Sequence, residues 1–149
     1  MSDQATQAAM PRALKANMLL TDWFFIAYWS VTALAAAKVI SLPPGLLYSD
    51  YDNPIMVAWN WSFFPLDIVL SLVGLSSVHL AGRNDPKWQK LSTVSLSLTF
   101  CAGFMAISFW IITGDFELTW WAPNLYFTIW PLFFLCRMPA ANGVPSSSR

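Results

Sequence analysis

The sequence predicts an all-α fold, an integral membrane four-helix bundle with both termini cytoplasmic. Three observations predict it. The 149 residues are 56% hydrophobic and 11% charged, against about 25% charged in ordinary soluble domains. The chain contains four apolar runs, each near or above the roughly 20 residues that cross a bilayer as a helix. The basic residues gather on one side of those runs.

The first run covers about 18–40, the second 56–81, the third 91–113 and the fourth 118–138. They are too long, and alternate too little, to be membrane strands. The first is not a cleavable signal peptide: it carries Asp22 and Lys38, and LPPGLL is a poor small-residue cleavage site. Residues 1–17 then form a cytoplasmic N-terminal segment, 18–138 the transmembrane domain, and 139–149 a polar, disordered cytoplasmic tail. SLPPGLLYSDYDNP, residues 41–54, is the longest connection, and GDFE, residues 114–117, is a tight turn.

Arg12 and Lys15 precede the first run, Arg83, Lys87 and Lys90 lie between the second and third, and Arg137 and Arg149 follow the fourth. The other two connections carry Asp50, Asp52, Asp115 and Glu117 and no basic residue. The positive-inside rule makes the basic side cytoplasmic.

Several function classes are set aside on composition. Net charge is zero, so no nucleic-acid partner is indicated. No motif for a nucleotide, haem or metal is present, and Cys101 and Cys136 lie at different depths, which argues against a disulfide. The partner that remains is the lipid bilayer.

An ionisable residue inside a membrane faces the bundle interior and by default marks function. Asp67 is the clearest case, near mid-bilayer in WNWSFFPLDIVLSL. At helical spacing its stripe reads Asn60, Phe63, Phe64, Asp67, Ser71, Gly74. Pro65 opens the backbone just before it. Two roles stay open: a ligand counter-ion, proton carrier or base, or a packing hydrogen bond to a neighbouring helix. Asn124 and Thr128 on the fourth run either line the same pocket or bridge helices, and Trp29 on the first run and Trp130 on the fourth either stack on a ligand there or pack in the core. Lys38 is either an interfacial anchor or a cation reaching Asp67.

Asp22 reads as an acid in the first turns of the first helix, favoured there by the helix dipole. His79, the single histidine, reads as interfacial. Ser92, Ser95, Thr99, Ala102 and Ala106 form a small-residue stripe for close helix packing. Trp23, Trp59, Trp61, Trp88, Trp120 and Trp121 read as aromatic belts.

The stretch YDNPIMVAWNWSFFPLD resembles the YvaD-like family of small, uncharacterised bacterial membrane proteins, over Asp22 to about Met138. That resemblance implies four transmembrane helices in a bacterial inner (plasma) membrane, and no known activity. The layout is also similar to the EXPERA group, which includes the emopamil-binding sterol isomerase and the sigma-2 receptor. The shared features are the Pro-containing loop SLPPGLLYSD, the Asn53-Pro54 step, a carboxylate within the second helix, and WAPNLYFTIWPLFFLCRMP. In that group the carboxylate lines a cavity for sterols or cationic lipophilic ligands, so the resemblance implies that role for Asp67. The chain departs from it at Lys38, which falls on or near the sigma-2 receptor's first-helix acid. It departs again in having no match for the isomerase's catalytic histidine and paired glutamates.

The leading expectation is therefore an aromatic-lined intramembrane pocket that binds, or isomerises, a small lipophilic or sterol-like ligand. One alternative is a proton-coupled exporter acting as an oligomer. The other is a structural subunit of a membrane complex.

Overall fold

A computed structural model describes residues 9–43, 46, 50 and 52–137. The expected tail at 139–149, Met138 and residues 1–8 lie outside the described residues. Four helices follow one another: α1 (Arg12–Ala36), α2 (Pro54–Gly82), α3 (Lys87–Thr113) and α4 (Leu118–Leu135).

Local chemistry sets the helix ends. Asn53 caps α2, its side-chain oxygen accepting from the Ile55 N–H at 3.0 Å, with Pro54 pre-set for the first helical position. Just before α3 the Asp85 side chain accepts from the Lys87 N–H at 2.9 Å. The α3 end is closed by Gly114 at φ 73°, and the Asp115 N–H reaches back to the Trp110 carbonyl at 3.1 Å. Glycine is needed at that left-handed position, as in a Schellman turn.

Pro65, Pro123 and Pro131 sit inside helices that run on through them. Each deletes one backbone donor. Beside Pro123, the Asn124 side-chain amide donates back to the Trp120 carbonyl at 2.8 Å, one turn earlier on the same helix.

α1, α2 and α3 are long and apolar enough to cross a membrane. α4 has 18 residues, about 27 Å at 1.5 Å per residue. It carries two prolines and Asn124 among its apolar residues. Large apolar side chains such as Leu20, Leu72, Phe104 and Ile112 point outward and are exposed, as they would be with lipid for solvent.

Consecutive helices pack antiparallel, and α3 is the central post, contacting both α2 and α4 along its length. α1 packs on α2 and approaches α4 only briefly. Small residues make this possible: Ser92, Ser95, Thr99, Ala102 and Ala106 are all buried, as their spacing predicts. Gly103 is the tightest point against α4. A Cβ there would lie 2.7 Å from the Asn124 carbonyl oxygen and 2.9 Å from the Thr128 nitrogen.

At one end of the bundle Leu14, Met18, Trp88, Leu96 and Trp130 form a buried cluster, with Leu80, Ala81 and Leu135 against it. The helix ends beside Lys15, Arg83, Lys87 and Arg137 thus lie together, and this is the basic end. The opposite end carries Asp50, Asp52, Asp115 and Glu117 and is the acidic end. Cys101 and Cys136 are free and exposed.

Gly103→Ala should destabilise the protein by about 1–3 kcal/mol, because the obstructing atoms are α4 backbone and the helices must part. Gly82→Ala is the control, since a Cβ there meets nothing within 4 Å. Thermal unfolding in detergent measures both. Equal midpoints would show that the α3–α4 seam is looser than described.

Candidate functional site

Thirteen residues into α2, about 20 Å from its start, Asp67 is 4% exposed. The α2 stripe turns it inward toward α1. There the Trp29 indole N–H donates to Asp67 Oδ2 at 2.9 Å, between two buried side chains. The other oxygen, Oδ1, is buried with no hydrogen-bond partner among the described residues. Trp29 is held by its own neighbours: Tyr28, Trp61 and Phe64 pack on the ring at 5.1, 5.4 and 5.1 Å between centroids. These edge and tilted contacts fix the indole rotamer, and with it the direction of the N–H.

Asp67 lies in the wall of a cavity of about 280 Å³ in the acidic half of the bundle. From α1 come Phe24, Phe25, Tyr28 and Trp29, and from α2 Trp59, Asn60 and Phe63. α3 supplies Trp110 and also Ala102 and Ala106, whose small side chains leave the space open. α4 supplies Trp120, Pro123, Asn124 and Phe127, and Leu46 reaches in from the loop. Asp67 is the only carboxylate among the described lining residues. Asn60 is held by the Tyr28 hydroxyl, which donates to its Oδ1 at 2.9 Å, and its Nδ2 is buried without a partner. The described lining is thus mostly aromatic, with one carboxyl group and the side-chain amides of Asn60 and Asn124.

The structure brings together Trp29, Asn60, Asp67 and Asn124 of the expected residues. The rest are placed elsewhere. Phe64 packs on the outer side of Trp29 and is 38% exposed. Ser71 is fully buried one turn below Asp67, with no partner for its hydroxyl. Thr128 turns to α3, next to Gly103, and bonds the Asn124 carbonyl at 2.8 Å. Trp130 belongs to the apolar cluster at the basic end. Lys38 does not reach Asp67: α1 ends at Ala36, and Lys38 is exposed in a left-handed turn at φ 58° beyond it.

Asp22 needs correction. α1 starts at Arg12 and not at 18, so Asp22 lies about 15 Å along the helix and is 1% exposed. It is no first-turn acid. Its carboxylate rests on the α2 backbone at Gly74, where any Cβ would collide with it, and its Oδ2 has no partner. The signal was available. Leu14, Met18, Asp22, Phe25, Trp29 and Thr32 recur at spacings of three and four, and all are buried. Trp59, Trp88 and Trp120 also depart from a simple belt. Trp59 stacks on Phe109 at 4.2 Å, Trp88 is buried, and Trp59 and Trp120 line the cavity.

Trp29→Phe should destabilise the protein by about 1–3 kcal/mol, since it strips the donor from a buried carboxylate. In an Asp67→Leu background the same change should cost at least about 1 kcal/mol less. Additive thermal shifts would mean that the bond contributes nothing.

Residues 14–143 match the family of unknown function DUF5360. The uncharacterised protein YvaD of Bacillus subtilis (strain 168) is 44% identical over 124 residues, which covers 83% of this chain and 90% of that protein. No solved structure matches. The likeness to the EXPERA group therefore rests on sequence layout alone. A match spanning most of the chain, and 44% identity to a relative covered almost end to end, place this protein in the YvaD-like family DUF5360.

Proposed function

We propose that the protein crosses the bacterial plasma membrane four times, with both termini cytoplasmic, and binds a small lipophilic cation between its helices. The observation that carries the reading is Asp67 Oδ1, without a partner among the described residues, on the one carboxylate among the described residues that line an aromatic-walled cavity. An amine or quaternary ammonium placed there gains the carboxylate on one side and ring faces on the others. A cavity of about 280 Å³ lies at the small end of ligand sites, which run from about 300 to 1,000 Å³. That favours a compact amine over a sterol skeleton. With no second carboxylate or histidine among the described lining residues, binding is favoured over isomerisation.

Benzyltrimethylammonium is a suitable probe. By equilibrium dialysis in mild detergent the wild type should bind it about 10- to 100-fold more tightly than Asp67→Asn, the range expected for one lost charge-assisted contact. Native mass spectrometry of both proteins should show a co-purified small adduct on the wild type alone. Equal affinity overturns the reading. Bare monomers in both preparations would favour a structural subunit of a larger complex, and bare dimers an oligomeric exporter.

Orientation has its own test. In a Cys101→Ser, Cys136→Ser background, a membrane-impermeant maleimide should label Asp115→Cys on intact cells. Lys87→Cys should be labelled only after permeabilisation. The reverse pattern would invert the topology.

A further inference from the structure

The cavity has a second polar end that binding of a cation leaves unused. Two of its described lining residues keep a buried polar side-chain atom without a partner among the described residues: Asp67 Oδ1, an acceptor, and Asn60 Nδ2, a donor. Both side chains are more than nine-tenths buried, Asn60 at 7% exposed and Asp67 at 4%. They belong to one helix. Asn60, Phe63 and Asp67 follow at spacings of three and four on α2, so they share a face, with Phe63 between the two polar groups. The seven-residue separation puts Asn60 about 10 Å nearer the acidic end. Its amide is held. The Tyr28 hydroxyl donates to Asn60 Oδ1 at 2.9 Å, which ties down the oxygen and leaves the Nδ2 edge over. Tyr28 is itself seated edge-on against Trp29 at 5.1 Å, the ring that donates to Asp67. The other carboxamide in the described lining is differently engaged: Asn124 donates to the Trp120 carbonyl at 2.8 Å.

Resting on the cation pocket proposed above, we propose that Asn60 is a second anchor of that site and that its ligand is two-ended. An ammonium group meets Asp67, an apolar body runs along Phe63, and a neutral hydrogen-bond acceptor, a carbonyl or ether oxygen, meets the Asn60 amide. A buried donor without an acceptor is destabilising. A ligand oxygen satisfies it, and a hydrocarbon chain does not. The acceptor is neutral because none of the described lining residues is Lys, Arg or His, so an anionic end would be buried without a counter-charge. Zwitterions such as amino acids are thereby disfavoured, and amino ketones, amino esters and amino ethers fit. Phe25 of α1 and Phe127 of α4, 4.7 Å apart, add apolar wall for the body of such a molecule. Two unlike anchors two turns apart also fix which way round the ligand lies.

The test uses full-length protein in mild detergent and a matched pair of probes in equilibrium dialysis. One is benzyltrimethylammonium with a para-acetyl group. The other carries para-isopropenyl, in which a methylene stands where the carbonyl oxygen was. The wild type should bind the acetyl probe about tenfold more tightly, the upper range for one neutral hydrogen bond. Asn60→Leu should bind the two within about twofold of each other, having lost the donor that tells them apart. Asp67→Asn should weaken both probes alike and leave the acetyl preference standing, because the two anchors are separate. If Asn60→Leu does not fold, Asn60→Ala takes its place. Equal binding of the two probes by the wild type, or binding of unsubstituted benzyltrimethylammonium alone, overturns the second anchor and leaves the cation pocket standing. So does an acetyl preference that persists in the Asn60 variant. A wild type that binds none of the three cations overturns pocket and anchor together.

Discussion

The hydrogen bond from the Trp29 indole to Asp67 is the contact on which the α1–α2 seam depends. A carboxylate in an apolar bundle is costly unless something satisfies it. One oxygen is satisfied here by a ring that three other aromatic side chains hold in place. That fixes the register of α1 against α2. Once Trp29 faces Asp67, the antiparallel pairing puts Asp22 against Gly74 and Tyr28 near Asn60. The absence of a side chain at Gly74 is therefore part of the same arrangement.

The division of labour among the helices follows from residue size. α3 brings hydroxyls, alanines and a glycine to its neighbours and lets their backbones come close. α1, α2 and α4 bring rings. Where α3 offers Ala102 and Ala106, the rings opposite cannot fill the space, and the cavity results. Toward the basic end Leu14, Met18, Trp88, Leu96 and Trp130 close the core.

Much of this was legible in the chain. Four long apolar runs and their charge bias gave the helices and their order. The α2 stripe gave an inward Asp67, and the α3 stripe gave close packing, because both obey a period that any helix imposes. The partners were less legible. Trp29 was a candidate, but that its N–H meets Asp67 depends on the relative height of two helices, which no single-helix pattern contains. Asp22 was less legible still, because the apolar run alone points to a start near 18, whereas α1 begins with the polar residues from Arg12. Thr128 and Trp130 were assigned to the pocket by depth. Each is turned elsewhere, Thr128 by the close approach of Gly103 and Trp130 by the apolar cluster it joins. Lys38 was assigned by reach, and the early end of α1 puts it out of range.

The short approach between α1 and α4 makes that edge of the bundle its weakest seam. Three seams are closed by hydrogen bonds or by tight backbone contact. The fourth is held by the rings of Phe24 and Phe25 on Phe127, and by Tyr126 on Asn17. Rings slide over one another at little cost, whereas a displaced backbone contact must be rebuilt. Mechanically the protein is a book bound along α3, whose thin page edge is the contact between α1 and α4.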